Sequence, residues 1–291
     1  MSVTAPALEV SLNRILVATD FSEASAKALH HAIPIARRYE AKFYLAHVVS
    51  QAGAPLAGAL RTEEAAICDL RSLETQLVQA GALAGIPHEV VVRHGDVWEQ
   101  LDQIVRQENV DLIVVGTHGR TGFRKIVLGS VAEEIFRHAL RPVLTVGPGA
   151  PADPTPESNL RHILYPTDLS VESAAAAPYA ISAAIRNNAR LTLLHVVELH
   201  ETEDAERSTV LQNRLRNFLP RSYALPYNLN FTLEAGPTDE TILAFAREHH
   251  ADLIVMGLRS PNTLVDRLLW LHAYEIIRGA SCPVLTIRSA K

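Results

Sequence analysis

The chain has 291 residues, which at roughly 100–200 residues per domain predicts two domains. Hydrophobic residues make up 48% and charged residues 20%, so each domain can bury a core, and with aromatics at only 5% Val, Ile, Leu and Ala must do most of the packing. The formal net charge of −5 argues against nucleic acid as a main partner, since a phosphate backbone needs a basic face, and no apolar run approaches the roughly 18 residues of a membrane span.

The first residues, MSVTAPALEVSLNR, lack the basic start and apolar run of a signal peptide, so a cytoplasmic location is expected. Cys68 and Cys282 sit in no CxxC or metal-like spacing and read as reduced, small packing residues.

From the amino end, short β-branched runs alternate with longer stretches of helical periodicity. Strands are expected over residues 14–19, 42–49, 88–93, 111–116 and 142–146. Four of these are near-continuous apolar runs, as strands buried on both faces require; 88–93 is more mixed and fits a place nearer a sheet edge. Helices are expected over 22–39, opened by Ser22 as N-cap with Glu23 next, and over 62–83, where Ile67, Leu70, Leu73 and Leu77 recur at three and four. Two more are expected over 97–108, capped by Asp96, and over 130–140. Pro34 falls inside the first helix and Pro178 inside its counterpart in the second half. An interior proline costs ~3 kcal/mol or more, so a kink or a late helix start is expected at each. The strict alternation of strand and helix predicts an α/β fold with a parallel, doubly wound sheet and right-handed crossovers.

The pattern then repeats. Residues 15–22 read ILVATDFS and 163–170 read ILYPTDLS, placing Asp20 and Asp168 148 residues apart; LAHVV at 45–49 and LLHVV at 193–197 share that shift. Later matches, DLIVVG at 111–116 with DLIVMG at 252–257 and RPVLTV at 141–146 with CPVLTI at 282–287, are shifted by 141. The second copy is therefore 7 residues shorter between its second and third strands, where a surface connection tolerates trimming. A repeat this long is a whole domain. Residues 147–159, GPGAPADPTPESN, have a linker composition, which gives one domain over 1–148, a linker over 149–159 and a second domain over 160–291. His47 and His195 hold the same strand position in both copies, which suggests a structural hydrogen bond to a neighbouring element. The pairs His30-His31 and His249-His250 lie on helical stretches, where adjacent side chains diverge and make poor metal pairs.

The most unusual residues follow the fourth strand of the first copy. Gly116 and Gly119 stand two residues apart, nine more residues lead to Gly129, and Ser130 opens a helix, giving G-x2-G-x9-G-S. Glycines let backbone come close to phosphate oxygens, and the N–H groups of Gly129, Ser130 and Val131 at a helix start add donors and a positive dipole end. Ser130 brings a hydroxyl for phosphate or Mg2+, and Arg120, Arg124 and Lys125 add positive charge nearby. No G-x4-G-K-[ST], HExxH or G-x-S-x-G signature occurs, so efficient phosphoryl transfer lacks its usual parts.

On these residues both halves resemble the universal stress protein (UspA-like) family, over nearly the whole chain. The resemblance implies two tandem domains, each a five-stranded parallel sheet flanked by helices, and ATP, with Mg2+ as its companion ion, as the ligand. It maps adenine and ribose contacts to Ala18, Thr19, Asp20 and Val48. It maps the remaining nucleotide contacts to Val115, Gly116, His118, Gly119, Gly129, Ser130 and Val131. In the family the fifth strand commonly pairs across a dimer, which implies an internal pseudo-dimer of the two domains, with a homodimer as a further assembly. The second copy departs from the pattern: Asp168, Val196 and Gly257 persist, but Ser260 replaces the second glycine, and Trp270 and Leu271 stand where Gly-Ser is required. The Trp270 indole either fills the anion hole or packs in the core, and ATP binding is expected in the first half alone.

The function expected is that of an ATP-binding, non-catalytic stress regulator acting on unidentified protein partners. Two alternatives are a slow ATPase or phosphotransferase using Asp20, Ser130 and Mg2+ at the same site, and a scaffold to which nucleotide is irrelevant.

Overall fold

A computed structural model describes residues 10–50, 63–117, 129–152, 159–197, 205–220, 223–258 and 264–289. The chain forms two compact units, one of Ser11–Pro148 and another of Asn159–Lys291 together with Gly149–Pro151.

The first unit contains β1 (Arg14–Ala18), α1 (Glu23–Arg38), β2 (Lys42–Val49), α2 (Glu63–Gln79) and β3 (His88–His94). It continues with α3 (Val97–Gln107), β4 (Leu112–Gly116), α4 (Ser130–His138) and β5 (Val143–Val146). Its strands pair in parallel in the order β3-β2-β1-β4-β5, with Ile15 in register with both Phe43 and Leu112. The apolar runs explain the centre: Ile15, Leu16, Val17 and Val114 are fully buried, because helices cover both faces of the strands. β3, the mixed run, pairs with β2 alone among the described strands and takes the edge.

The second unit repeats the plan. It holds β6 (His162–Pro166), α5 (Val171–Ala174), α6 (Ala177–Asn187), β7 (Arg190–Val197) and α7 (Ala205–Arg216). β8 (Leu229–Ala235), α8 (Thr238–Glu248), β9 (Leu253–Leu258), α9 (Leu264–Gly279) and β10 (Val284–Arg288) complete it. The parallel order is β10-β9-β6-β7-β8.

The two prolines meet different fates. α1 starts on time, with the Ser22 hydroxyl accepting the Ser25 amide, and runs through Pro34. Pro178 lies one helical turn nearer its strand, 10 residues after Asp168 where Pro34 is 14 after Asp20. There the helix divides: α5 ends at Ala174, and α6 starts afresh with Pro178 in its first turn, where the missing N–H has no intrahelical role. Cys282 is buried and its thiol is pushed up to about 12 by that burial. Cys68, expected as a packing residue, is instead exposed on α2. Among the described residues no helix is long and apolar enough to cross a membrane.

Candidate functional site

In each unit the sheet order reverses between its first and fourth strands, and in the first unit a crevice opens beyond their carboxyl ends. In the first unit the loop from β1 to α1 forms one wall. Thr19 is tied to β2 by its amide, which donates to the Ala46 carbonyl at 2.8 Å. Its carbonyl accepts the Nδ1–H of His47 at 2.7 Å, so this ring carries its proton on Nδ1. Phe21 takes a left-handed backbone (φ 63) and donates its amide to Thr19 Oγ1, while the Ser22 amide donates to Asp20 Oδ1 at 3.0 Å. Thr19 Oγ1 and Ser25 Oγ, both buried, lie 3.1 Å apart.

The second unit builds the same circuit. The His195 Nδ1–H donates to the Thr167 carbonyl at 2.7 Å, and Leu169 is left-handed (φ 60) with its amide on Thr167 Oγ1. The Ser170 amide donates to Asp168 Oδ1 at 3.0 Å. Asp20 and Asp168 are thus carboxylate caps of a tight turn, which accounts for their presence in both copies without reference to a ligand. Replacing either by alanine should cost its unit about 1 kcal/mol in urea denaturation, and asparagine, which keeps the acceptor oxygen, should restore most of it. Equal stability of Asp20→Ala and wild type would contradict this role.

The opposite wall is the start of α4. Gly129 is its N-cap, with no side-chain cap, and the helix itself leaves the amides of Ser130, Val131 and Ala132 without an intrahelical carbonyl. One expected donor is not available: the Gly129 amide donates to the Thr117 carbonyl. The amides that α4 itself leaves unbonded therefore begin at Ser130.

Gly116 also has a different reason for being glycine. A Cβ there would lie 2.6 Å from the Ala24 carbonyl carbon, closer still to its oxygen, and 3.0 Å from the Ser25 amide nitrogen. The first turn of α1 presses on β4 at this point. Gly257 repeats the contact, with a Cβ 2.5 Å from the Glu172 carbonyl oxygen. Helix-on-strand packing thus accounts for the one motif glycine that both copies share.

Between the walls is a cavity of about 250 Å3. Ala18, Thr19, Asp20, Val48, Val115, Gly116, Gly129, Ser130 and Val131 all line it. Of the expected contacts, His118 and Gly119 fall outside the described residues, as do Arg120, Arg124 and Lys125. Sequence reasoning missed Val97 and Leu101, which α3 brings to the cavity, together with Ser25, Ala46 and Ala132. It assigned His47 a structural hydrogen bond, which it makes, yet the residue also lines the cavity. The available signal was the apolar face of α3, whose Leu101 follows its Asp96 cap by five residues.

In the second unit the phosphate-side positions do not form a helix start. α9 runs over Leu264–Gly279, so Trp270 and Leu271 lie within it, where backbone amides are consumed by i−4 carbonyls. Leu271 is half exposed to solvent. At the position of Val131, α9 carries His272, whose Nδ1 is 3.2 Å from Asp239 Oδ1 on α8. The helix start found at Ser130 in the first unit therefore has no counterpart at positions 270 and 271. The signal for this was in the sequence: Thr263 precedes an apolar run, with Asp266 three residues on, a helix-start pattern.

A sequence profile of the universal stress protein family matches residues 11–147 and again residues 159–288. Universal stress protein MJ0531 of Methanocaldococcus jannaschii is 33% identical over 141 residues, covering 46% of this chain and 81% of that protein. Universal stress protein YxiE of Bacillus subtilis is 31% identical over 146 residues, covering 46% of this chain and 98% of that protein. The crystal structure of a universal stress protein from Archaeoglobus fulgidus superposes over 97% of this chain and 100% of its own, with a TM-score of 0.73 at 22% identity, a likeness of fold.

Proposed function

Because the chain belongs to the universal stress protein family, we propose that its first unit binds one adenine nucleotide, ATP, and that occupancy of this site regulates the protein. One observation carries this reading: nine residues singled out by motif and resemblance line a single cavity at the switch point of the first sheet.

The cavity's shape supports a division of the ligand. Its volume of about 250 Å3 lies below the roughly 300–1,000 Å3 of pockets that engulf a drug-sized molecule, and suits a base with its ribose. Val48, Val97, Leu101 and Val115 supply the apolar walls a planar base requires, with Asp20 at the rim for a ribose or base donor. The phosphates leave towards the first turn of α4, where the Ser130 and Val131 amides, the Ser130 hydroxyl and the helix dipole favour negative charge. Mg2+ would arrive on the phosphates, with Ser130 Oγ as its protein oxygen. Among the described residues no cluster of His, Cys, Asp or Glu could hold a metal ion alone.

A regulatory role fits this lining better than turnover. It contains one carboxylate, Asp20, and one imidazole, His47, and both are bound into the β1–α1 turn. ATP binding stabilises the folded unit by mass action, about 2.7 kcal/mol at a hundredfold excess over Kd, and so can set the population of a partner-binding form. Two unpaired cysteines suit a reducing cytoplasm.

Isothermal titration with ATP, together with native mass spectrometry of the purified protein, tests the reading. One nucleotide per chain is expected, with no measurable release of phosphate. Absence of heat and of bound nucleotide at millimolar ATP would overturn it.

A further inference from the structure

The amino ends of the strands, remote from the cavity, differ between the copies. In the first unit this corner is held by acid–base and phenol–acid pairs: Lys42 Nζ to Glu89 Oε2 at 2.7 Å, and the Tyr44 hydroxyl donating to Glu108 Oε2 at 2.8 Å. In the second unit the corresponding residues are Arg190, Asn230, Thr192 and His249, and His162 stands in the place of Arg14. Both carboxylates are gone and two histidines stand at this corner.

His162 is 3% exposed, on β6, between β7 and β9 at the centre of its sheet. Its Nε2 is 2.9 Å from Thr192 Oγ1. Its Nδ1 is 3.0 Å from two groups of opposite demand, the Arg190 guanidinium, which can only donate, and the His249 carbonyl, which can only accept. A neutral ring meets one demand: Nδ1 accepts from Arg190, and Nε2–H donates to Thr192. A proton on Nδ1 reverses this, turning it into a donor to His249 and placing two cationic donors face to face.

We propose that His162 is an acid-sensitive latch, which while neutral holds β6 to β7 and, through the Arg190 guanidinium that also donates to the His249 carbonyl, to the α8–β9 corner, and which releases Arg190 when protonated.

The surroundings set the sense of the switch. Burial first, and then the Arg190 charge, hold the imidazole below its ordinary value. The His249 carbonyl opposes them most, as an acceptor for a protonated Nδ1, and Asp252 does so more weakly from the start of β9, with Oδ2 accepting the amides of Arg161 and His162 at 2.7 and 2.9 Å. The other ionisable neighbour at the corner is His249, on the α8–β9 turn, and α6, packed on β6, carries Arg186 as its charged residue. Because the folded imidazole titrates below the unfolded one, the unfolded form binds more protons under acid. Stability is complete above the ordinary histidine value and falls as pH drops through the folded value. The opening equilibrium rises by up to about tenfold per pH unit across that window.

Hydrogen exchange of the full-length protein from pH 7.5 to 4.5, corrected for intrinsic exchange, reads this directly. Peptides from β6, β7 and β9 should open progressively in wild type. His162→Gln, which keeps hydrogen bonds to the same neighbours without a titrating proton, should flatten the rise, and Arg190→Gln should shrink it. A rise in His162→Gln equal to wild type would overturn the proposal. So would nitrogen-15 NMR of the wild-type imidazoles, which needs no variant to fold, if His162 titrates at or above the ordinary histidine value.

Discussion

Replacing Gly116 by alanine is expected to destabilise the first unit by roughly 2–4 kcal/mol, an effect on folding that precedes any effect on nucleotide. The added methyl would lie 2.6 Å from the Ala24 carbonyl carbon, and both partners are backbone, so no rotamer change relieves the clash. Relief requires α1 to slide off β4, which opens contacts made by the fully buried Ala28, Leu29 and Ala32. Gly257→Ala is the matched control, because it meets the Glu172 carbonyl at the start of α5 in a unit for which no phosphate site is proposed. Urea denaturation of the ligand-free protein should show a similar loss in both. A Gly116→Ala protein of unchanged stability that fails to bind ATP would restore this glycine to the ligand.

Replacing Ser130 by proline should weaken ATP by about a hundredfold or more while leaving the ligand-free fold intact. Ser130 is the first residue of α4, where proline's fixed φ suits the helix and its missing N–H breaks no intrahelical bond. Gly129 before it is extended, at φ −58 and ψ 146, the conformation a residue preceding proline prefers. The substitution therefore removes an amide and a hydroxyl from the proposed anion site with little other cost. Two charge-assisted hydrogen bonds, at ~1.5–3 kcal/mol each, set the size of the loss. Ser130→Ala removes the hydroxyl alone and should cost about tenfold. Titration calorimetry of the three proteins gives the series; equal affinities would place the phosphates elsewhere.

What could be read in advance followed from the physics that acts locally. Strands buried on both faces write themselves as apolar runs, so the centre of the first sheet was legible, and the mixed run of β3 marked an edge. Ser22 and Asp96 announced their helices because a cap needs a short side chain with an acceptor. The cavity lining was legible as far as motif and resemblance reached. The reason behind each residue was not. A glycine after a strand reads the same whether phosphate or another helix's backbone presses on it, and only the approach of Ala24 distinguishes them. Asp20 gives the same letter as ribose contact or turn cap. For the second copy, counting nine residues to Trp270 assumed that the loop kept its shape, whereas α9 is already helical from Leu264. The apolar face of α3 was legible, but that it is this face which reaches the cavity depends on where a crossover helix lands.

The duplicated β1–α1 circuit and its glycine bear on how such tandem chains diversify. Asp168 and Gly257 have remained in a half whose helix no longer begins where an anion would sit, because turn and packing still require them. Their survival reports architecture. In a chain of this kind the informative test of ligand capacity is where the fourth crossover helix begins, and point substitutions that placed Gly-Ser at positions 270 and 271 would leave its positive end nearly two turns away.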